Sequence, residues 1–188
     1  RMKPLPFKQH LDLSEVTIAE ALRENGYKTM ISGKWHLGAD SIFWPENQGF
    51  DVNVGGWGLA FPNKSNKSNG YFSPYGNPRL KDGPVGEYLT DRQTDEAIKF
   101  IKDCKDKPFF IYLSYYAVHT PLQAKKEHIN RFSKKADSLG LTRMQAFTTD
   151  RDWIKRTKLE SGLVERIIQS DSVNAAMIFS MDENIGRD

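Results

Sequence analysis

The chain has 188 residues, 38% of them hydrophobic and 27% charged, a composition that suits one globular domain, or most of one, with a buried core. Its formal charge of +3 comes from 27 basic and 24 acidic residues mixed along the chain, so nothing electrostatic argues for nucleic acid or a membrane as partner. A single cysteine, Cys104, excludes an intrachain disulfide framework and a multi-cysteine metal site, and no apolar run reaches membrane-spanning length.

The opening "RMKPLPFKQH" has no signal-peptide pattern and reads as the start of a processed or excerpted chain. The first predicted element is a helix in "TIAEALRENG". Thr17 and Glu20 have capping-box spacing, Ile18, Leu22 and the alanines supply an apolar stripe, and Gly26 suits a left-handed stop. "YKTMISGKW" follows with Tyr27, Thr29 and Ile31 at period two, a short strand. That strand runs into "GKWHLG", where Lys34 and His36 occupy alternate positions between two glycines. On an extended chain both side chains would point the same way, toward a target best matched by an anion.

From about Ala39 to Val85 the chain is rich in Gly, Pro, Asn, Ser and aromatics, as expected of a functional loop excursion. Trp57, Phe61, Tyr71, Phe72 and Tyr75 argue against disorder there, and "NKSNKS" holds sequons at Asn63 and Asn66. A second helix is predicted with Thr90 or Thr94 as cap and Ala97, Ile98, Ile101 and Cys104 on its apolar face. After Pro108, "PFFIYLSYY" reads as a strand covered on both faces, the habit of parallel sheets. Helix then strand, twice over, predicts an α/β fold with a mainly parallel, doubly wound sheet. Residues 122–170 form a polar insertion with helical candidates at "LQAKKEHINRFSKKA" and "GLVERIIQS". Its basic pairs, Lys125 with Lys126 and Lys155 with Lys158, read as solvated faces or as holders of an anionic substrate. A last helix would place Val173, Ala176 or Met177, Met181 and Ile185 along one side, and with no strand after it the sheet reads as unfinished.

His119 follows the second strand in "YYAVHTP". In open parallel sheets, ligands gather at the carboxyl ends of strands, so Lys34, His36 and His119 are the candidate site residues, sharing one pocket. A P-loop fails because Trp35 stands where Ser or Thr is required, and no G-x-S-x-G elbow is present. A zinc site from His36, His119 and His128 lacks the HExxH spacing, and His128 reads more simply as a helix-surface histidine. Cys104 has neither a neighbouring histidine nor a glycine-rich turn to activate it.

"GYKTMISGKWHLG" resembles the second signature of the sulfatase family, G-Y-x-T-x-x-x-G-K-W-H-L-G, at each specified position. The similarity continues in "YLTDRQTDEAIKFI", "KPFFIYLSYYAVHTP" and "AAMIFSMDENIGR", in the family's order, although Val118 replaces the proline of the commoner P-H-x-P. The resemblance implies a partial alkaline-phosphatase-like α/β/α sandwich, spanning 1–188 as one partial catalytic domain, that cleaves sulfate esters with a formylglycine nucleophile beside Ca2+. By motif position Lys34 would contact sulfate and the nucleophile's oxygens. His36 would hydrogen-bond the formylglycine hydroxyl, and His119 would hold sulfate near the leaving oxygen. The family's C/S-x-P-x-R motif is absent before Gly33, and the calcium aspartates have no counterpart; Asp40 and Asp51 have no motif behind them. The resemblance thus implies an interior segment, inactive alone, of a periplasmic or secreted arylsulfatase-type hydrolase acting on a sulfate ester, including sulfated glycans. The alternatives are a non-catalytic anion- or glycan-binding module and a phosphatase or phosphodiesterase of the same superfold.

Overall fold

Strand β1 (Lys28–Gly33) lies at the centre of a 3-stranded parallel sheet, flanked by β2 (Val52–Val54) and β5 (Phe109–Ser114). The structure, a computed structural model, describes residues 7–65, 67–149 and 164–187. Successive side chains of a strand point to opposite faces. Ile31 accordingly meets Ala19 of helix α1 (Ile18–Glu24), with Trp35 and Phe50, while Met30 meets Phe100 of helix α2 (Leu89–Asp103) and Cys104 just beyond it. Helices on both faces make an α/β/α sandwich, and burying a side chain of this size stabilises it by about 1.5–3 kcal/mol.

The capping box of α1 forms as predicted: Thr17 Oγ1 accepts from Glu20 N at 3.1 Å and the Glu20 carboxylate accepts from Thr17 N at 2.7 Å. Its apolar stripe differs from expectation. Ile18 is exposed and Ala19 is the residue buried, because the helix docks with its backbone close to Gly49, where a Cβ would lie 2.3 Å from Glu20 N. Neither Thr90 nor Thr94 caps α2. The helix opens at Leu89, whose N–H donates to Tyr71 O at 2.8 Å, so a tertiary partner replaces the side-chain cap. Both threonines are buried inside it, Thr94 Oγ1 sharing a 2.6 Å hydrogen bond with the Tyr115 hydroxyl. Strand β5 is half-exposed with Phe109 and Tyr112 open, not covered on both faces, because it is an edge strand of the described sheet.

The stretch 39–85 carries more order than its composition predicts. It contributes β2 to the main sheet and a small hairpin of β3 (Lys64–Ser65) and β4 (Ser68–Asn69). Asn66 lies outside the described residues. β2 escapes sequence reading because it has three residues among glycines and asparagines, and its partner β1 imposes the extended form. Tyr71, Tyr75 and Leu80 from this stretch form the largest core cluster with Tyr88, Tyr116, Ala176 and Met177.

Helix α3 (Lys126–Ser138) packs on α4 (Ser172–Ile185), which leans on α2. In α4, Ala176, Met177, Ser180 and Asn184 are buried and Ile185 is exposed, so the predicted face is rotated toward polar residues. Asn184 Nδ2 donates to Asp91 Oδ1 at 2.8 Å, which explains a buried amide where an apolar residue was expected. "GLVERIIQS" is not helical where described. Glu165–Arg166 form β7, paired antiparallel with β6 (Phe147–Thr148), a short apolar run whose periodicity does not separate helix from strand. Lys155 and Lys158 lie outside the described residues.

Candidate active site at the carboxyl edge of the sheet

The carboxyl ends of the three parallel strands are knitted together by hydrogen bonds. Lys34 N donates to Ser114 O and Ser114 Oγ donates back to Lys34 O, both at 2.7 Å, joining the end of β1 to that of β5. Gly33 permits this approach: its φ is +126°, and a Cβ there would lie 1.9 Å from Ser114 O. Just past β2, Gly55 O accepts from the Tyr116 hydroxyl at 2.7 Å, so the residues after all three strands meet at one edge.

Lys34 is half-buried, and among the described residues its ammonium has no hydrogen-bond or ion-pair partner. A cation left unpaired at such an edge is a ready anion receptor. His36 is exposed, donates its N–H to Trp57 O at 3.1 Å, and has φ +61°, a left-handed conformation uncommon outside glycine. Strain of that kind is retained where surrounding contacts hold a side chain in a set direction. The extended-chain geometry expected for Lys34 and His36 is broken by the left-handed backbone of His36, and the alternation argument for their convergence does not apply. His36 opens into a cavity of about 670 Å3 whose wall includes Lys8, His10, Leu37, Gly38 and Asp40; Lys34 and His119 are not part of that wall.

His119 is exposed, and its main chain is fixed from two sides: its N–H donates to Tyr116 O at 3.0 Å and its carbonyl accepts from the Tyr71 hydroxyl at 2.9 Å. The same Tyr71 hydroxyl reaches Tyr116 O at 2.7 Å. Nδ1 of His119 lies 3.0 Å from Thr120 O and 3.2 Å from Thr120 Oγ1; toward the carbonyl, which only accepts, Nδ1 donates, and Nε2 is left as the outward nitrogen. The ring of Phe61 stacks on the imidazole at 5.6 Å and 17°. Burial pushes the Tyr71, Tyr116 and Tyr88 phenols up, Tyr88 to about 12 and Tyr71 further with Tyr88 beside it, so all three remain neutral donors.

The structure thus brings the backbones carrying Lys34 and His119 to one edge, with His36 displaced toward the adjoining cavity. His128 is not a surface histidine. It sits between α3 and α4, with Nδ1 2.9 Å from Ser180 Oγ, Nε2 3.4 Å from Glu183 and Phe179 edge-on, which commits both ring nitrogens and removes it from a zinc site. Lys125 is not a solvated cation either, since it pairs with Asp91 at 2.6 Å over the Tyr88 ring. Sequence reading missed Tyr71, Phe61, Ser114 and Thr120. Only Ser114 had a usable signal, as the end of a strand in register with Gly33.

The described residues do not fit a calcium cage. No three of their His, Cys, Asp or Glu side chains gather as one, and Asp51 is engaged by Thr29 N at 3.1 Å and Lys28 at 3.8 Å. Cys104, the single cysteine, is buried against Met30 and Phe100.

A parallel α/β/α sandwich with Lys34, His36 and His119 in the loops beyond its strand ends has the layout of open sheets, whose ligands gather at the carboxyl edge. The family model for sulfatases matches residues 2–187, and the chain belongs to the sulfatase family, as part of its alkaline-phosphatase-like fold. It is 38% identical over 132 residues to an arylsulfatase of Hemicentrotus pulcherrimus, covering 61% of this chain and 24% of that protein. With the human N-acetylgalactosamine-6-sulfatase it shares 33% over 135 residues, 60% of this chain and 24% of that protein. The crystal structure of Ps i-CgsB in complex with k-i-k-neocarrahexaose superposes with a TM-score of 0.59 at 25% identity, covering 95% of this chain and 36% of that one. The chain spans roughly a quarter to two fifths of the length of the curated relatives it matches (24%, 38% and 42% for the first three). Among the described residues no helix is long and apolar enough to cross a membrane.

Proposed function

We propose that the protein carrying this chain hydrolyses sulfate esters, and that Lys34, His36 and His119 are this chain's share of its active site. The observation that carries the reading is the half-buried, unpartnered Lys34 at the end of the central parallel strand, locked to β5 by paired 2.7 Å hydrogen bonds. In this reading Lys34 neutralises charge on the sulfate oxygens, where a fixed cation stabilises the transition state more than the ground state. His119 Nε2, when it carries a proton, donates to the leaving oxygen, and His36 exchanges a proton beside it. Calcium and a formylglycine nucleophile belong to the family's chemistry and would come from sequence outside this chain, which alone would be inactive. The names of the glycan-directed relatives support a sulfated saccharide as substrate, and a periplasmic or secreted setting accords with that substrate.

The test is hydrolysis of an aryl sulfate and of sulfated monosaccharides by the whole protein. Lys34→Ala is expected to lower kcat/KM by about 100-fold or more, roughly 2.7 kcal/mol of transition-state stabilisation, with the unfolding midpoint unchanged. Sulfate binding without turnover by the whole protein would point to an anion-binding module instead, and preference for phosphate esters would point to a phosphatase.

A further inference from the structure

We infer that Phe61 is a positioning residue for the His119 imidazole, an assignment that deepens the sulfate-ester reading and rests on it for its catalytic consequence. An exposed histidine ring ordinarily turns freely about its side-chain bonds. Here the ring has a neighbour on each coordinate that matters. Nδ1 is held by Thr120 O at 3.0 Å and lies 3.2 Å from Thr120 Oγ1, which fixes the edge, while Phe61 lies nearly parallel at 5.6 Å and 17°, which fixes the plane. Ala60 and Pro62 on either side of Phe61 are buried, so the phenyl projects from between two packed residues of the 39–85 stretch. Phe61 is itself 39% exposed and belongs to none of the core clusters. A large apolar ring that contributes so little to the core, yet stacks on an imidazole at the sheet's carboxyl edge, is explained by what it does to that imidazole. Edge and plane together leave Nε2 as the outward nitrogen, the atom that, once protonated, donates to a leaving oxygen. Stacking of this kind is worth about two- to tenfold in the population of one ring orientation.

The experiment uses the whole protein labelled with 15N-histidine, with His119 signals assigned by comparison with His119→Asn. In the wild type the neutral His119 ring is expected as the Nδ1–H tautomer, with proton shifts displaced by the Phe61 ring. In Phe61→Leu the displacement should vanish, both tautomers should appear, and kcat on a sulfate ester should fall about tenfold with KM changed less than about twofold, the pattern of lost orientation. Phe61→Tyr should restore all three. If Phe61→Leu does not fold, Phe61→Met serves as the second variant. Unchanged His119 signals in a folded Leu or Met variant overturn the assignment, whatever happens to the rate. A wild-type protein that cleaves no sulfate ester refutes the hydrolase reading, while the tautomer measurement still decides the positioning role.

Discussion

The two strand tips that carry the candidate site are built in opposite ways. At the end of β1, the turn after Gly33 is shaped by the backbone: Gly33 lets Ser114 O approach, and Gly38, at φ +146°, avoids Phe43, whose Cβ would lie 2.4 Å from an added Cβ. Most of what sets this tip is contiguous or directly across the sheet, the bonds from His36 N to Trp57 O and from Leu11 N to Leu37 O being the exceptions. At the end of β5, the turn bearing His119 is held by side chains from distant sequence, with Tyr71 hydroxyl on two carbonyls, Phe61 on the ring and Gln123 accepting from Tyr88 and Tyr71 N. The first tip is a local device and therefore a recognisable motif. The second is a tertiary device, whose supports are scattered through an irregular stretch.

If that distinction is right, damage at each tip should differ in kind. The largest effect is expected from Gly33→Ala, which forces a side chain into a positive-φ position and into Ser114 O. A loss of about 3 kcal/mol or more in urea unfolding is anticipated, with both tips disturbed because the β1 and β5 ends separate. A loss under about 1 kcal/mol would break the comparison at its stronger side.

Tyr71→Phe should cost less, about 1–3 kcal/mol, by leaving His119 O without its hydroxyl donor and Tyr116 O with only the His119 N–H. Amide exchange should quicken around His119 and stay unchanged around Lys34, and equal quickening at both tips would show that they are not independently supported. The smallest effect is expected from alkali. A phenol raised by burial favours the fold while protonated. The contribution of Tyr88, raised from 10.0 to about 12, is therefore complete below about pH 10 and lost as pH climbs through the folded value. Tyr88→Phe should flatten the fall of the urea midpoint between about pH 10 and 12, and an identical pH profile would contradict that assignment.

The same contrast explains what was legible in the sequence. Alternating apolar residues and a capping box gave β1 and α1, and the helix-then-strand order gave the parallel sandwich, because those signals are local and repeat with the element's own period. β2 was invisible because extension there is imposed by β1 on residues with little propensity for it. "GLVERIIQS" went wrong because pairing with Phe147 and Thr148 outweighs an ambiguous apolar period. His128 was misplaced for a related reason, since nothing in a helix's own sequence announces that a serine and a glutamate on α4 will meet both ring nitrogens. Of the site, the reactive residue types were readable in their motifs, but the supports of His119 were not, since a tyrosine hydroxyl reaching a carbonyl 48 positions away leaves no periodic trace.

The most direct test of the common anion site is a crystal structure of the whole protein with sulfate bound. One sulfate within about 3 Å of Lys34 Nζ and of ring nitrogens of both His36 and His119 is the predicted result. Sulfate bound elsewhere, or the lysine and the two histidines each facing a different anion or none, would contradict it.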